Sequence, residues 1–277
     1  MTLEVHVIGI GLLGPGLPSW ALAQALLCDP AGWHTTATVV PPPGRLPATE
    51  RRRAGTLVKA SLVVADEAVT GAGAGTGEHA GAGADEGAGV GVAMLATVFT
   101  SSTGDPLNCH LLCEALALPQ RAVSPTRFTN SVHNAPAGYW HIAAASRAPS
   151  TSLAAFDASF GAGLLEAAVQ CQATQAPVLL VACDMPYPEP LHALRPLADV
   201  FAVALLLAPG GGRLLTLKVD GDATDTTCKH AGLEALRAGI PAARALPLLQ
   251  ALADGAAARL VLEGAPGLAM QLHLAAA

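Results

Sequence analysis

The strongest structural signal in this chain of 277 residues is the stretch 152–166, Ser-Leu-Ala-Ala-Phe-Asp-Ala-Ser-Phe-Gly-Ala-Gly-Leu-Leu-Glu. It predicts a buried strand that runs directly into an amphipathic helix, with a sharp turn of small residues between them. Several α/β enzymes hold a nucleophile at such a turn, because the helix N-terminus stabilises a developing negative charge. In this sequence the turn presents a phenyl ring, that of Phe160.

The composition is that of a globular protein with a large core. Hydrophobic residues make up 52% of the chain and charged residues 13%, and the formal net charge is −6. This length suits one large α/β domain or two small ones. The negative charge argues against a nucleic-acid partner, and we interpret the only basic cluster, Arg51 to Arg53, as a solvated helix face. The low charge also suggests that some surface is covered by a partner.

The sequence predicts no membrane span and no export. No apolar run approaches the roughly 20 residues that cross a bilayer. Residues 1–8 alternate like a strand and lack a basic segment, so we expect no signal peptide. The six cysteines are scattered and form no disulfide pattern, which predicts reduced, buried thiols in a cytoplasmic protein.

Strands and helices are predicted to alternate along the chain. The predicted strands cover 3–9, 93–100, 177–183, 200–207, 214–219, 259–262 and 268–274, and a further strand is predicted at Ser152. The predicted helices cover 20–28 with Ser19 as N-cap, 49–69, 105–116, 134–146, the segment after Phe160, 232–238 and 245–253. Residues 35–47 are rich in proline and should form an extended loop. Apolar central strands between helices indicate a layered α/β fold.

Residues 70–91 differ from the rest of the chain in composition. They are mostly glycine and alanine, and Glu78, Asp85 and Glu86 are their acidic side chains. Such a segment cannot bury a core, so it is predicted to be a flexible insertion between a helix and a strand.

The motif Gly9-Ile-Gly11-Leu-Leu-Gly14 follows the first predicted strand and formally matches a dinucleotide-binding fingerprint. That fingerprint needs a helix that begins within the glycines. Pro15 and Pro18 prevent a helix there, and no suitably placed acidic residue ends a second strand. We therefore interpret the motif as a tight structural turn.

The remaining polar motifs favour structural roles. Cys109 and Cys113 share one helix face, but no second ligand pair stands at zinc-like spacing, so core cysteines are favoured. The segment Cys228-Lys229-His230 is interpreted as a solvated loop, and Ser101 to Asp105 as the cap of the next helix. We expect no bound metal and no cofactor.

The segment Asn130-Ser-Val-His133-Asn134-Ala-Pro136-Ala-Gly-Tyr139-Trp140 concentrates amides, an imidazole and two large aromatic rings. Pro136 suits the first turn of a helix. Two interpretations remain open from the residues alone. The segment is either a capped helix with an aromatic pair in the core, or an element that lines an interface or a pocket.

Taken together, these segments resemble the N-terminal half of a β-ketoacyl synthase of the thiolase-like superfamily. The resemblance rests on Val7 to Pro15, on Thr126 to Gly138 with its Asn-x-x-Ala-Gly ending, and on the strands 179–184 and 201–207. It implies a thiolase-like layered αβαβα fold with one full N-terminal repeat and a strongly shortened C-terminal part. Residues 1–208 would form the synthase-like domain, and 209–277 a short α/β tail that completes it.

The residues that depart from the synthase pattern bear on activity. Synthases carry Asp-Thr-Ala-Cys-Ser-Ser at this junction, and matching on Asp157 places Phe160 at the nucleophile position. Phenylalanine forms no thioester. Cys171 lies about three helical turns, roughly 16 Å, further along, and Ser159 points about 100° away around the helix. The synthase motifs that carry two histidines and a lysine do not occur.

The sequence is most similar to short synthase-like proteins that carry Ser-Val-His-Asn-Ala-Pro-Ala-Gly-Tyr-Trp, described as chain-length-factor-like partners in aryl polyene gene clusters. This implies a non-catalytic partner of a full-length β-ketoacyl synthase in aryl polyene, polyketide or fatty-acid-like elongation. The heterodimer would act on acyl carrier protein substrates. The resemblance assigns seven residues to its interface and acyl pocket: Asn130, His133, Asn134, Pro136, Tyr139, Trp140 and Phe160.

Two other functions are weighed against this one. The chain is alternatively a divergent acyltransferase or esterase that uses Ser159 as nucleophile with His133 or His141 as base. A homodimeric acyl-binding module without a synthase partner is the third hypothesis.

Overall fold

The computed structural model describes residues 2–73, 91–221, 223–264 and 267–277. Within these ranges the strands form one mixed eight-stranded sheet in the order β3-β2-β4-β5-β1-β6-β8-β7. The strands are β1 (Thr2–Leu13), β2 (Ala96–Thr100), β3 (Ser150–Leu153), β4 (Val178–Asp184), β5 (Phe201–Ala208), β6 (Arg213–Asp220), β7 (Ala258–Glu263) and β8 (Ala269–Leu274).

Ten α-helices connect these strands within the described ranges. They are α1 (Trp20–Cys28), α2 (Ala48–Arg53), α3 (Thr56–Gly71), α4 (Pro106–Ala117), α5 (Pro125–Thr129), α6 (Ala135–Ala144), α7 (Ser159–Thr174), α8 (Leu191–Leu194), α9 (Ala231–Gly239) and α10 (Leu246–Asp254). Short 3₁₀ helices cover Pro30–Gly32, Val92–Met94, Phe156–Ala158 and Pro241–Ala245.

The sheet is parallel at one end and antiparallel elsewhere. Strand β2 pairs in parallel with β3 and β4, with Val98 opposite Thr151 on one side and Leu180 on the other. The pairs β4–β5, β5–β1, β1–β6, β6–β8 and β8–β7 are antiparallel. The two edges of the described sheet are therefore β3 and β7.

Hydrophobic cores lie on both faces of the sheet. Every residue of β4 is buried, and its alternate side chains enter opposite cores because strand side chains point to opposite faces. Helices α3 and α6 cover one face, where Leu57, Val64 and Trp140 pack with Leu179. Helices α1, α7 and α10 cover the other. The layered α/β class predicted from the sequence is confirmed, and the shortened C-terminal part extends the same sheet with β6, β8 and β7.

Several local predictions are also confirmed. Ser19 caps α1, since its Oγ accepts a hydrogen bond from the Leu22 N–H at 3.3 Å. The strands and helices after residue 91 lie close to their predicted positions. Of the insertion predicted over 70–91, the helix α3 extends to Gly71, and residues 74–90 lie outside the described residues.

The single helix predicted over 49–69 is wrong. Two helices, α2 and α3, occupy this segment and are separated at Ala54 and Gly55. A Cβ atom on Gly55 would lie 2.6 Å from the Asp105 Oδ2 atom, so a larger residue there would displace the Asp105 carboxylate. The break therefore lets α2 turn away while α3 packs on the sheet.

The interpretation of the glycine motif as a turn also needs correction. Gly9 and Gly11 lie inside β1, and the turn itself is formed by Pro15 and Gly16 beyond it. A Cβ atom on Gly9 would lie 2.2 Å from the Ala68 carbonyl oxygen, and one on Gly11 1.9 Å from that of Val64. The two glycines thus allow the backbone of α3 to approach the strand closely.

Candidate functional site

The site begins at the turn between β3 and α7. Strand β3 is an edge strand whose residues are exposed or half-buried, so the prediction of a buried strand here is wrong. Phe156 then adopts a positive φ of 52°, which is uncommon for a bulky residue. Ser159 holds this turn, because its Oγ donates to the Phe156 carbonyl at 2.7 Å and accepts from the Ala155 N–H at 3.0 Å.

Phe160 occupies the second position of α7 and is fully buried. Its ring belongs to the core that includes Leu164 and Leu180. The helix start around it is closed, since a Cβ atom on Gly161 would lie 2.6 Å from the Glu263 carbonyl oxygen. A Cβ atom on Gly163 would likewise lie 2.7 Å from the Thr100 methyl carbon. The first turn of α7 is therefore filled by packing.

Charged side chains from several segments surround the turn between β3 and α7. The Arg195 guanidinium donates to the Asp157 Oδ1 at 2.5 Å and to the Ser102 Oγ at 2.9 Å. It also stacks on the Phe156 ring, 3.7 Å from the ring centroid. Arg244 forms an ion pair with Glu263 and lies 4.0 Å from the Asp157 Oδ2. Asp157 is thus held by arginines from two other parts of the chain.

A buried carboxylate lies at the end of β4. The Asp184 Oδ1 accepts hydrogen bonds from the Ser101 hydroxyl at 3.0 Å and from the Ser102 N–H at 2.7 Å, and Oδ2 accepts from the Ala242 N–H at 2.9 Å. Burial raises the pKa of Asp184, while these donors lower it. The carboxylate connects the turn after β2 to the C-terminal tail.

The prediction that residues 101–105 cap the next helix is confirmed. The Asp105 Oδ1 accepts from the Asn108 N–H at 2.9 Å at the start of α4. Burial raises the pKa of this carboxyl, because removing a charge from water favours the protonated form.

Residues 130–140 form a hydrogen-bonded unit with α2. The Asn130 amide donates to the Arg53 carbonyl oxygen at 2.8 Å, and its oxygen accepts from the Tyr139 hydroxyl at 3.0 Å. Burial raises the pKa of Tyr139. These contacts fix the turn that precedes α6.

Fewer side chains of residues 130–140 are exposed than the sequence predicts. Pro136, Tyr139 and Trp140 are buried in the chain's own core, so they do not face outward from the single chain. His133 and Asn134 are exposed, and the His133 Nε2 lies 3.1 Å from the Ser101 carbonyl oxygen. Of the seven residues expected at the interface, the structure groups those of 130–140, of which only His133 and Asn134 are exposed, and it places Phe160 apart from them in the core on the opposite face of the sheet.

The alternative nucleophiles lie in unreactive surroundings. Both described hydrogen bonds of the Ser159 hydroxyl are to backbone atoms. Burial raises the pKa of Cys171 to about 11, which leaves very little thiolate at neutral pH. The Nε2 atom of His141 is buried and has no hydrogen-bond partner among the described residues.

Two expectations about cysteines are wrong. Cys109 and Cys113 are exposed on α4, because that helix buries only Pro106, Asn108 and Leu112. Cys228, expected in a solvated loop, is buried, and burial raises its pKa to about 12. In the described ranges, no group of three or more His, Cys, Asp or Glu side chains is arranged to hold a metal ion.

The sequence reasoning missed four residues of this site: Phe156, Asp184, Arg195 and Arg244. The sequence does indicate Asp184, because an acidic residue at the end of an otherwise apolar, buried strand needs hydrogen-bond donors around its carboxylate. The two arginines lie in segments of no recognisable pattern. Their role follows only from the approach of distant segments to Asp157. None of the helices described here is long and apolar enough to cross a membrane.

Comparison with known proteins agrees with this architecture. A ketosynthase (ApeO) in complex with its chain length factor (ApeC) from Xenorhabdus doucetiae aligns with a TM-score of 0.72 and 22% identity, over 98% of this chain and 99% of that one. The ishigamide ketosynthase/chain length factor aligns with a TM-score of 0.66 and 13% identity, over 99% of each chain. At these identities the likeness shows the fold. No curated protein matches the sequence.

A family model gives the assignment. The model described as the β-ketoacyl synthase N-terminal domain matches residues 90–264, which include β2 to β7 and the whole turn around Phe160. This match covers more than half of the chain. The chain therefore belongs to the family of β-ketoacyl synthase N-terminal domains, with a thiolase-like fold.

Proposed function

We propose that this chain is a non-catalytic, chain-length-factor-like subunit of a full-length β-ketoacyl synthase. It forms a heterodimer with the synthase and shapes the acyl pocket across their interface during elongation of an aryl polyene, a polyketide or a fatty-acid-like chain. Acyl carrier protein delivers substrate to the synthase and contacts this chain only indirectly. The proposal places the complex in the cytoplasm.

The observation that carries the proposal is the buried ring of Phe160. The resemblance matched on Asp157 assigns it to the position of the synthase cysteine, and packing closes the surrounding helix start. A phenyl ring offers no lone pair for attack on a thioester, so the chain has no covalent acyl intermediate at this position. Loss of the nucleophile within a retained fold is expected of a subunit that assists another chain.

The surface around α4 supports a protein partner. Leu107, Leu116 and Leu118 are exposed although α4 is apolar in sequence, and Phe128 and Val132 on the following segment are exposed as well. Large apolar side chains in such number are found where a surface is covered in an assembly. His133 and Asn134 belong to the same connection between α5 and α6.

The open sheet edge supports the same conclusion. Strand β3 pairs only with β2 in the described sheet, so its outer edge presents unpaired backbone groups. An uncovered edge readily adds a strand of another chain. The similar structures, which are named as ketosynthase and chain length factor complexes, are consistent with this arrangement.

Residues 209–277 are proposed to complete the domain formed by 1–208. Strands β6, β8 and β7 extend the sheet beyond β1, and the Ala242 N–H binds the buried Asp184. The tail therefore has a structural role in this proposal.

Co-expression tests the proposal. The chain is produced with the full-length synthase encoded beside its gene, and complex formation is followed by size-exclusion chromatography. We expect one heterodimeric peak, and a change in the product length distribution when the synthase is assayed without this chain. Elution as a homodimer beside every neighbouring synthase would contradict the proposal.

Acylation distinguishes the enzymatic alternative. The purified chain is incubated with acyl-carrier-protein thioesters and analysed by intact-protein mass spectrometry, and we expect no covalent adduct. An adduct that disappears in Ser159→Ala would establish the acyltransferase hypothesis instead. The buried, backbone-bound hydroxyl of Ser159 supports the first outcome.

A further inference from the structure

Helix α4 carries two cysteines that the proposed function does not use. Cys109 and Cys113 stand one turn apart, and both are exposed because the helix buries only Pro106, Asn108 and Leu112. The sequence predicted these thiols in the core, where a metal ion has no access. Their exposure opens the question of what two neighbouring thiols at the surface bind.

The two thiols lie on one face of the helix and interact with each other. Side chains four residues apart on a helix have Cβ atoms about 5–6 Å apart. Burial raises the pKa of the Cys109 thiol, and the charge and the hydrogen bond of the neighbouring Cys113 thiol raise it further. The sulfur atoms therefore adjoin each other, and a cation between them would relieve the repulsion of two thiolates.

The spacing of the thiols suits a bridging ion better than a disulfide. A disulfide needs Cβ atoms about 3.5–4.5 Å apart, so its formation would distort the helix. A metal ion adds two metal–sulfur bonds to the bridge, each about 2.3 Å long for zinc, and spans the wider gap without backbone movement. The geometry therefore favours chelation over a disulfide.

The number of ligands selects the ion. Zinc takes four protein ligands in structural sites and three in catalytic sites. Among the residues that the structure describes, no three His, Cys, Asp or Glu side chains are grouped to hold a metal, and the nearby His110 Nε2 lies 3.3 Å from the Glu114 Oε1. Thiolates select soft ions, and Cu(I) is a soft ion that is stable between two thiolates in a line.

We infer that Cys109 and Cys113 form a two-thiolate site for Cu(I) on the exposed face of α4. The ion displaces the two thiol protons, which go to the solvent, and forms two Cu–S bonds. The resulting complex carries one negative charge, and no atom changes its oxidation state. The site is separate from the turn around Phe160, and the inference does not depend on a synthase partner.

Competition for Cu(I) tests the site. The full chain, kept reduced and free of oxygen, is titrated with Cu(I) against the chromophoric chelator bicinchoninate, and bound copper is measured from the loss of chelator absorbance. We expect one tightly bound ion per chain. Cys109→Ser and Cys113→Ser should each weaken binding by about tenfold or more, because each removes a ligand. Cys28→Ser removes an exposed thiol on α1 and should leave the affinity unchanged.

A further variant separates the spacing of the thiols from their number. Cys113→Ser combined with Leu116→Cys keeps two thiols on α4 but places them about 10.5 Å apart along the helix axis. Leu116 is exposed, so the exchange leaves the core intact. We expect this double variant to bind Cu(I) as weakly as Cys113→Ser alone.

Alkylation identifies the ligands directly. Bound Cu(I) should protect Cys109 and Cys113 together from iodoacetamide, while Cys28 continues to react. Without copper, all variants should unfold at the temperature of the unchanged chain, since each changed side chain is exposed. Unchanged affinity in Cys109→Ser or Cys113→Ser would overturn the inference, and so would tight binding by the double variant.

Discussion

Helices α4 and α7 are two similar pieces of sequence with opposite surroundings. Each follows a strand of the parallel end of the sheet, and each is rich in apolar side chains. Helix α7 buries eight of its 16 residues against the sheet, whereas α4 buries three of its 12. This difference indicates that the chain itself covers the apolar side chains of α7 but leaves those of α4 largely exposed.

The difference has a structural cause. Helix α7 packs over β4, β1 and β2 and beneath the tail segment Pro241–Ala245, so its apolar face is enclosed. Helix α4 contacts chiefly α5, whose own Phe128 is exposed. Four experiments test this comparison between the enclosed region around α7 and the exposed region around α4.

Phe160→Ala should have the largest effect on folding. Removing a fully buried phenyl ring leaves a cavity in the core, and the expected loss is about 3–5 kcal/mol in the free energy of unfolding. Urea denaturation of the isolated chain measures it. Phe128→Ala, at an exposed ring on α5, serves as control and should change the value by less than about 0.5 kcal/mol. Equal losses in the two variants would refute the assignment of Phe160 to the core.

Asp184→Asn should have the second largest effect on the free energy of unfolding. Its carboxylate connects the turn before α4 to Ala242 in the segment packed on α7, and both oxygens accept hydrogen bonds. In asparagine an NH2 group replaces one carboxylate oxygen and would face a hydrogen-bond donor instead of accepting from it. We therefore expect the free energy of unfolding, measured by urea denaturation, to fall by about 2–3 kcal/mol. Asp220→Asn, in an exposed ion pair with Lys218, serves as control and should leave the free energy of unfolding nearly unchanged. A neutral Asp184→Asn would show that the network does not hold the tail.

Leu116→Glu on α4 should leave folding almost unchanged and weaken the heterodimer. Its side chain is exposed, so the free energy of unfolding should change by less than about 0.5 kcal/mol. A charge buried at an interface should raise the Kd for the synthase at least tenfold, about 1.4 kcal/mol. Leu22→Glu on α1 is the control. Unchanged affinity in Leu116→Glu would remove α4 from the interface.

Thiol labelling involves the smallest change in free energy, and it shows directly which cysteine side chains are exposed. In the isolated native chain we expect Cys28, Cys109 and Cys113 to react, because they are exposed. The three buried thiols should react only after unfolding, since burial raises the pKa of Cys171, Cys183 and Cys228 and lowers their thiolate fraction.

The same labelling repeated in the heterodimer tests the comparison directly. Mass spectrometry of the labelled peptides should show protection of Cys109 and Cys113 by the synthase. Cys28 on α1 should react at its original rate and serves as the internal control. Protection of Cys28 with continued labelling of Cys113 would place the partner on the opposite side of the molecule.

Much of the fold was predictable because periodicity reports burial. Strand β5 is apolar throughout and strand β4 is apolar up to Asp184, and both lie buried in the centre of the sheet. The cap of α1 at Ser19 was predictable because the bond it makes is local. Prediction failed where a distant segment decides the outcome, as for Gly55, whose missing side chain makes room for Asp105.

The candidate site shows the same division. The turn that precedes α7, with Phe160 in it, was predictable from the order of residues around Asp157. The burial of Tyr139 and Trp140 could not be predicted, because an aromatic residue on a short helix fits a core or an interface equally well. Their burial depends on how α6 sits on the sheet.

By itself the sequence determined the alternation of strands and helices, the family resemblance and the presence of Phe160 after Asp157, since each depends on which residues follow one another. Only the tertiary structure decided which apolar helix is covered, how Asp157 is ion-paired and how Asp184 is hydrogen-bonded. It also decided that Phe156 stands exposed in a strained turn. These properties arise from contacts between segments far apart in the chain, such as Arg195 with Asp157 and Ala242 with Asp184.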